Sequence, residues 1–123
     1  PGHPALPPAY SGVGQPVLIP GNMGAGSYVL AGMQRAFEET FASACHGAGR
    51  VMSRSQAIKA SKGRAIVREM AELGVTVMAS GRGTLSEEIP GAYKNLEEVV
   101  AVVHRAGLAR NVARLRAVGC IKG

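Results

Sequence analysis

Tryptophan is absent from the sequence, and aromatic residues make up only 4% of its 123 residues. Cysteine is also scarce: the two present, Cys45 and Cys120, form no CxxC motif, which excludes a disulfide-rich scaffold and predicts free thiols. No apolar run approaches the roughly 18 residues that a membrane span needs, and no basic-then-apolar signal pattern is seen. The sequence therefore predicts a cytoplasmic chain with no membrane partner.

Glycine and arginine are the residues that the sequence has in excess. The 17 glycines and seven prolines predict many turns and close approaches of the backbone. The net charge is +6, and ten of the 14 basic residues are arginine, whose planar guanidinium suits phosphate oxygens. This balance favours an anionic partner such as a nucleotide or nucleic acid. A basic domain without such a partner is an equally good interpretation at this point.

The pattern of apolar residues predicts an α+β fold, without the regular strand–helix alternation of a parallel α/β sheet. Strands are predicted at Pro16–Pro20, Ser27–Gly32 and Val75–Met78, the first of them buried. Helices are predicted at Gln34–Thr40, from Ser53 or Ser55 to Ala60, at Gly63–Leu73 and at Asn95–Arg105, where Asn95 is the N-cap. Residues 81–91 are predicted to be loop, and residues 108–121 fit either a strand with one basic face or a helix.

The opening segment, Pro1–Gly14, has the composition of an extended loop, and residue 1 is proline rather than methionine. A domain rarely begins with such a stretch. We therefore expect the chain to be a piece of a longer protein.

The segment Pro20–Ser27 places three glycines, Asn22 and Ser27 between two predicted strands. Successive glycines let main-chain N–H groups point into one concavity, which suits an anion. The segment is neither a Walker A loop nor a GxGxxG fingerprint. A simple tight turn is the commoner reason for such a pattern.

The segment His46–Arg50 places a histidine before two glycines and an arginine. A ligand can approach such a backbone closely, arginine can bind a phosphate in a bidentate manner, and imidazole can attack phosphorus to give a phosphoramidate. Taken alone, an incidental histidine in a surface turn is the commoner interpretation.

The remaining candidates are weaker on residue pattern alone. The three histidines, His3, His46 and His104, are far apart, and no metal-ligand spacing is found, so no metal site is predicted. Tyr93 in its proline–glycine loop could stack on a base or pack on its own loop. Lys122 has the position of a solvated terminal lysine, and the pairs Glu38/Glu39 and Glu87/Glu88 are expected to be solvated.

Four stretches together resemble the RtcB family of RNA ligases, and the resemblance extends over essentially the whole chain. The matching stretches are Gln15–Gly24 (QPVLIPGNMG), Cys45–Arg54 (CHGAGRVMSR), Glu88–Asn95 (EIPGAYKN) and the ending Cys120–Gly123 (CIKG). The first two are long and specific. The resemblance favours the functional interpretation of both glycine-rich loops, of Tyr93 and of Lys122 over the structural ones.

The resemblance implies a GTP- and Mn²⁺-dependent ligase of tRNA splicing and RNA repair. Such a ligase joins RNA ends with a 2′,3′-cyclic phosphate or 3′-phosphate to ends with a 5′-hydroxyl. His46 would attack the α-phosphorus of GTP and release pyrophosphate. The guanylate would pass to the RNA 3′-phosphate, and the 5′-hydroxyl would then attack that phosphate and expel GMP. Residues 1–123 would be the C-terminal, nucleophile-bearing part of the larger RtcB-type fold, a mixed sheet with flanking helices.

The resemblance also assigns roles to individual residues. Tyr93 would stack on the guanine base, Lys122 would contact that base, and Arg50 would bind an RNA or nucleotide phosphate. The guanylate pocket as a whole would comprise Pro20, Gly21, Asn22, Met23, Ser27, His46, Gly47, Ala48, Gly49, Tyr93 and Lys122.

Two departures from the family pattern limit these expectations. Position 22 is asparagine where relatives commonly have serine, and the family's Mn²⁺-ligand motifs are not found in this sequence. The metal ligands are therefore expected outside this chain, in the N-terminal part of the same protein, and the chain alone is expected to be inactive. A non-catalytic nucleotide- or RNA-binding module and a structural assembly fragment remain the alternatives.

Overall fold

The structure is a computed structural model that describes residues 1–122, apart from the side chain of residue 82. The fold is α+β, as predicted from the sequence. The described helices are α1 (Gln34–Glu39), α2 (Arg54–Ala60), α3 (Ile66–Glu72), α4 (Arg82–Glu87) and α5 (Leu96–Arg105). The described strands are β1 (Pro16–Pro20), β2 (Ser27–Gly32), β3 (Thr76–Ala79), β4 (Ala109–Leu115) and β5 (Gly119–Lys122). Gly123, which ends the last of the family-like stretches, lies outside the described residues.

Antiparallel and parallel strands are found in two separate sheets. The first sheet has the order β1-β2-β4 and is antiparallel, whereas β3 and β5 pair in parallel. In the hairpin of β1 and β2, Pro20 pairs with Ser27, so the glycine-rich segment between them forms the connecting turn. The stretch 108–121, which the sequence left open between strand and helix, contributes one strand to each sheet.

Helix α5 covers one face of the antiparallel sheet. Asn95 caps this helix, because its side-chain oxygen accepts hydrogen bonds from the main-chain N–H groups of Glu97 and Glu98, as the sequence predicted. The buried residues of this first core are Ile19, Leu30, Ala48, Leu96, Val100, Val103 and Ala109. A second core lies between α3, β3 and the loop before α5, and it buries Met23, Ala57, Ile66, Met70, Val75, Ile89 and Ala92. The glycine-rich turn contacts both cores, because Met23 is buried in the second and Ala25 packs against the first.

The structure corrects the sequence prediction for residues 81–91. They were predicted to be loop, but they contain helix α4 and a 3₁₀ turn at Pro90–Ala92. Helix α4 packs against α2 and buries Leu85, so tertiary packing stabilises a segment whose own helix propensity is low. The prediction that β1 is a buried strand is right for Ile19 only, because Leu18 is 59% exposed.

Several smaller features agree with the sequence. Ser53 is the N-cap of α2, and Gly74 follows α3 with a positive φ of 76°. Cys45 and Cys120 are free thiols. The opening segment, by contrast, was predicted to be an extended loop, and it contains a 3₁₀ turn at Pro8–Tyr10. Among the residues described, no helix combines the length and the apolar character needed to cross a bilayer.

Substitution of Gly26 by alanine is expected to destabilise the protein by at least about 2 kcal/mol. Gly26 has φ of 83°, and a Cβ at this position would lie 2.1 Å from the carbonyl oxygen of Leu115. Both the positive φ and the collision with the backbone of β4 oppose a side chain. The measurement is thermal unfolding, with Gly12→Ala as control because a Cβ at Gly12 meets nothing within 4 Å. Equal unfolding midpoints for the two variants would contradict the expected strain.

Candidate nucleotide-binding site

The turn between β1 and β2 is held in one conformation by its own hydrogen bonds. The side-chain oxygen of Asn22 accepts from the main-chain N–H groups of Gly24 (3.0 Å) and Ala25 (2.9 Å). Its amide nitrogen donates to the carbonyl oxygen of Pro90 at 3.4 Å. The N–H of Gly21 donates to the carbonyl oxygen of Gly26 at 2.9 Å, which closes the base of the turn. Asparagine at position 22 therefore orders the turn and ties it to the loop before α5.

The loop that carries His46 lies directly beside this turn. A Cβ built on Gly47 would be 3.5 Å from the carbonyl oxygen of Pro20, a van der Waals contact, so the two segments adjoin at this point. Ala48 is buried in the first core, and the carbonyl oxygen of Gly49 accepts from the N–H of Lys94 at 3.0 Å. These contacts anchor the loop just after His46, whose own side chain is exposed.

An open cavity of about 270 Å³ lies between the glycine-rich turn and the strands β4 and β5. Its lining residues include those of the turn together with Glu88 and Lys122. The pocket residues expected from the sequence that line this cavity are Pro20, Gly21, Asn22, Met23, Ser27 and Lys122. His46, Gly47, Ala48 and Gly49 stand beside it rather than in its lining.

A second cavity, of about 380 Å³, lies on the other side of Asn22. Tyr93 and Lys94 line this second cavity together with Tyr28 and Arg114 of the antiparallel sheet. Tyr93 does not line the first cavity. It is linked to that cavity by its hydrogen bond to Glu88 and by Asn22, which lines both cavities. The expected stacking of Tyr93 on a base stays a prediction.

Glu88 lies at the centre of the polar contacts behind the first cavity. Its Oε2 accepts from Lys122 Nζ at 3.2 Å and from the hydroxyl of Tyr93 in a short hydrogen bond. Its Oε1 accepts from Arg50 Nη1 at 3.3 Å. The Glu88 side chain is only 21% exposed, so these three partners replace water around a largely enclosed carboxylate.

The ionisation of this cluster follows from its contacts. Burial alone would raise the pKa of Glu88, but the hydrogen bonds from Tyr93 and Lys122 and the charges of Lys122 and Arg50 outweigh it. The pKa of Glu88 is therefore held below its ordinary value of 4.5. Burial and the neighbouring Glu88 carboxylate raise the pKa of Tyr93 above 10.0. At neutral pH the cluster holds an anionic Glu88 and a neutral Tyr93.

Arg50 makes extensive contacts within the protein. Its Nε donates to the Met52 carbonyl at 3.0 Å, Nη2 to the Glu87 carbonyl at 2.6 Å, and Nη1 to both Glu88 and the Tyr93 hydroxyl. Its guanidinium also lies 4.8 Å from the centre of the Tyr93 ring. Arg50 therefore stabilises the junction of two loops, and its role toward an RNA or nucleotide phosphate stays a prediction.

Sequence reasoning missed the importance of Glu88. The pair Glu87/Glu88 was expected to be solvated, and this is wrong for Glu88, because the packing of residues 88–93 under strand β5 encloses its carboxylate. The available signal was its position at the start of the family-like stretch that contains Tyr93. Glu87 fits the expectation better, since its carboxylate pairs with the exposed Arg54 at 3.3 Å.

The described residues do not contain a cluster of metal-ligand side chains. Within residues 1–122, no three histidine, cysteine, aspartate or glutamate side chains come close enough together to hold a metal ion. A Mn²⁺ cage therefore does not fit the described part of this chain. The His3 ring lies beside Phe37 in a tilted arrangement, with ring centres 5.5 Å apart, and His104 is exposed in the last turn of α5.

The structure thus places Lys122 in the lining of the first cavity and the loop of the exposed His46 beside the turn that lines it. A lysine in an open cavity suits an anionic ligand. The sequence profile of the family described as "tRNA-splicing ligase RtcB" matches residues 1–123. The chain belongs to this family.

Proteins called tRNA-splicing ligase RtcB are similar to the chain along its length. The one from Pyrococcus abyssi is 54% identical over 123 residues, which are 100% of this chain and 13% of that protein. The one from Thermococcus kodakarensis is 52% identical over 122 residues, or 99% of this chain and 25% of that protein. The one from Archaeoglobus fulgidus is 50% identical over 123 residues, covering 26% of that protein. The chain therefore spans between 13% and 26% of the length of these relatives.

Proposed function

We propose that this chain is the C-terminal, nucleophile-bearing part of a GTP-dependent RNA ligase. The ligase would join RNA 2′,3′-cyclic-phosphate or 3′-phosphate ends to 5′-hydroxyl ends in tRNA splicing and RNA repair. Its substrates would be tRNA halves or broken RNA in the cytoplasm. Family membership and the printed names of the relatives support RNA ligation, and the GTP-dependent mechanism is our extension of it.

One observation carries the proposal: the loop of His46 lies against the turn that lines the 270 Å³ cavity. Gly47 lies next to Pro20, because a Cβ at position 47 would be in van der Waals contact with the carbonyl oxygen of Pro20, at 3.5 Å. The exposed imidazole next to it has solvent access for an incoming phosphate. A nucleotide with its base toward Lys122 and its phosphates toward the turn would present its α-phosphate at this boundary.

The first chemical step would form one bond and break another at the α-phosphorus of GTP. An imidazole nitrogen of His46 forms an N–P bond, and the bond from the α-phosphorus to the bridging oxygen breaks, so pyrophosphate leaves with the bond electrons. The two later steps pass the guanylate to the RNA 3′-phosphate and then replace GMP by the 5′-hydroxyl oxygen.

Mn²⁺ enters this proposal only through the rest of the protein. The described residues of this chain do not provide a set of ligands for it. We propose that the N-terminal part of the same protein supplies the ligands.

The proposal is tested by incubating the full-length protein that contains this chain with GTP labelled at the α-phosphate and with Mn²⁺. The expected product is a protein adduct that is labile in acid and stable in base, as a phosphoramidate is. It should form without RNA and disappear when RNA with both end types is added. An adduct stable in acid, or ligation that proceeds without GTP, would refute the proposed chemistry.

The isolated 123-residue chain is expected not to ligate RNA, because metal ligands and much of the active site would be missing. Ligation of a labelled 3′-phosphate RNA to a 5′-hydroxyl RNA should rise above background only when the N-terminal part is added or fused. The control is the same mixture with His46→Ala in this chain. Robust turnover by the isolated chain would contradict the expectation.

A non-catalytic nucleotide- or RNA-binding module is the second candidate. The excess of basic residues and the lack of a metal-ligand cluster within residues 1–122 favour it. GTP or RNA binding by the full-length protein, with no covalent adduct under any metal condition, would establish this alternative over the ligase.

A further inference from the structure

Three segments of the chain meet at a single carboxylate. Arg50 follows the His46 loop, Tyr93 precedes α5, and Lys122 ends β5, and Glu88 accepts a hydrogen bond from each of them. Lys122 and Glu88 both line the cavity, whereas Arg50 lies behind it. The Lys122 ammonium group is therefore held by Glu88, whose carboxylate is in turn held by Arg50 and Tyr93.

We propose that Glu88 is a positioning residue that holds Lys122 and Tyr93 for nucleotide binding, acting through those two side chains. This inference rests on the proposed function, and it adds a residue for which neither the sequence pattern nor the family resemblance gave a role. Lysine has a long, flexible side chain, and fixing it before the ligand arrives removes part of the entropic cost of binding. The ion pair, at 3.2 Å with Lys122 29% exposed, is enclosed enough to provide that restraint.

Helix α4 itself gives no reason for the Glu88 carboxylate to point inward. Glu88 lies at the C-terminal end of α4, where a helix dipole disfavours an anion, and its α4 neighbour Glu87 faces outward to Arg54. The inward orientation of Glu88 is thus stabilised by its three partners rather than by its own helix. The depressed pKa of Glu88 keeps the carboxylate ionised at neutral pH.

The test uses the full-length protein and measures the rate of adduct formation against GTP concentration. Glu88→Gln is expected to raise the half-saturating GTP concentration about five- to tenfold and to leave the saturated rate within about twofold. Glu88→Asp, which keeps the charge, is expected to recover part of this loss. Glu87→Gln is the matched control, with the same change of charge on the adjacent residue, and it should behave as the unsubstituted protein.

A double-substitution cycle separates positioning from a general structural role. If Glu88 acts through Lys122, the pair Glu88→Gln with Lys122→Met should bind GTP no more weakly than Lys122→Met alone. Additive losses in the cycle, or identical GTP dependence for Glu88→Gln and Glu87→Gln, would overturn the inference. The inference would also be overturned if Glu88→Gln lowered both the saturated rate and the unfolding temperature, and if Glu88→Asp did not restore them.

The failure of this inference is distinguishable from failure of the proposed function. If the unsubstituted protein forms no adduct with GTP, the ligase chemistry is refuted and the positioning role falls with it. If the unsubstituted protein forms the adduct and Glu88→Gln matches Glu87→Gln, only the role of Glu88 is refuted.

Discussion

Replacing His46 with alanine is expected to abolish adduct formation and to lower RNA ligation by at least about 1,000-fold in the full-length protein. The imidazole nitrogen is the atom that would accept the guanylate, and alanine provides no nucleophile in its place. The side chain is exposed and is not part of either core, so the folded state should survive its removal. The measurement combines labelled-GTP incorporation, ligation of a fluorescent RNA pair and thermal unfolding of the same preparation.

The matched control for this prediction is His104→Ala. His104 is also an exposed histidine, and it lies in the last turn of α5. Its loss should change ligation by less than about twofold. Ligation that survives His46→Ala with an intact fold would show that another atom carries the guanylate, or that the reaction needs no covalent intermediate.

Substitution of Lys122 by methionine is expected to raise the half-saturating GTP concentration by about 10- to 100-fold. Methionine keeps much of the length of lysine but removes the ammonium group, so a charge-assisted contact to the nucleotide is lost. The change also leaves the enclosed Glu88 carboxylate with one partner fewer, which repels an anionic ligand from the same cavity. The saturated rate of adduct formation should change far less than the GTP dependence.

Lys59→Met is the control for the loss of positive charge. Lys59 is exposed in the last turn of α2 and does not line either cavity. This variant should keep the GTP dependence of the unsubstituted protein. If both lysine variants weaken GTP binding equally, the effect comes from overall charge, and the assignment of Lys122 to the nucleotide site is wrong.

The parts of the fold that the sequence predicted are those with strong local signals. The hairpin of β1 and β2 is marked by Pro16, Pro20 and the glycine-rich turn, and α5 by the Asn95 cap and its apolar face. The parallel pairing of β3 with β5 has no such local signal, because it depends on packing between segments more than 40 residues apart. The sequence prediction also missed helix α4, because its residues resemble a loop and the helix is stabilised by packing against α2.

The pair β3 and β5 also shows why the buried face of a strand with two apolar faces is hard to predict from sequence. In the pair β3 and β5, Val77 and Cys120 pack on the second core, while Met78 and Ile121 stand opposite each other and are 64% and 83% exposed. Both faces of these strands are apolar, so the alternation that would identify the buried side is weak. The direction of each side chain was fixed only by tertiary contacts.

The sequence proposes residues for the candidate site, and their roles stay predictions, whereas the contacts among their side chains could not be proposed from sequence. The family-like stretches identified the turn, His46, Tyr93 and Lys122, because those motifs are specific in sequence. The contacts among side chains were not predictable, since the bridge that Glu88 makes between Tyr93 and Lys122 exists only once two distant segments are packed together. Residue patterns alone favoured a simple turn for both loops.

The central claim is that one imidazole, at position 46, becomes bonded to the α-phosphorus of GTP, and peptide mapping tests it most directly. The full-length protein would be incubated with GTP and Mn²⁺, digested with trypsin at alkaline pH, and analysed by mass spectrometry. We predict a guanylate on the peptide of residues 36–50, whose one histidine is His46. A guanylate attached to any other peptide, or to a lysine, would contradict the account.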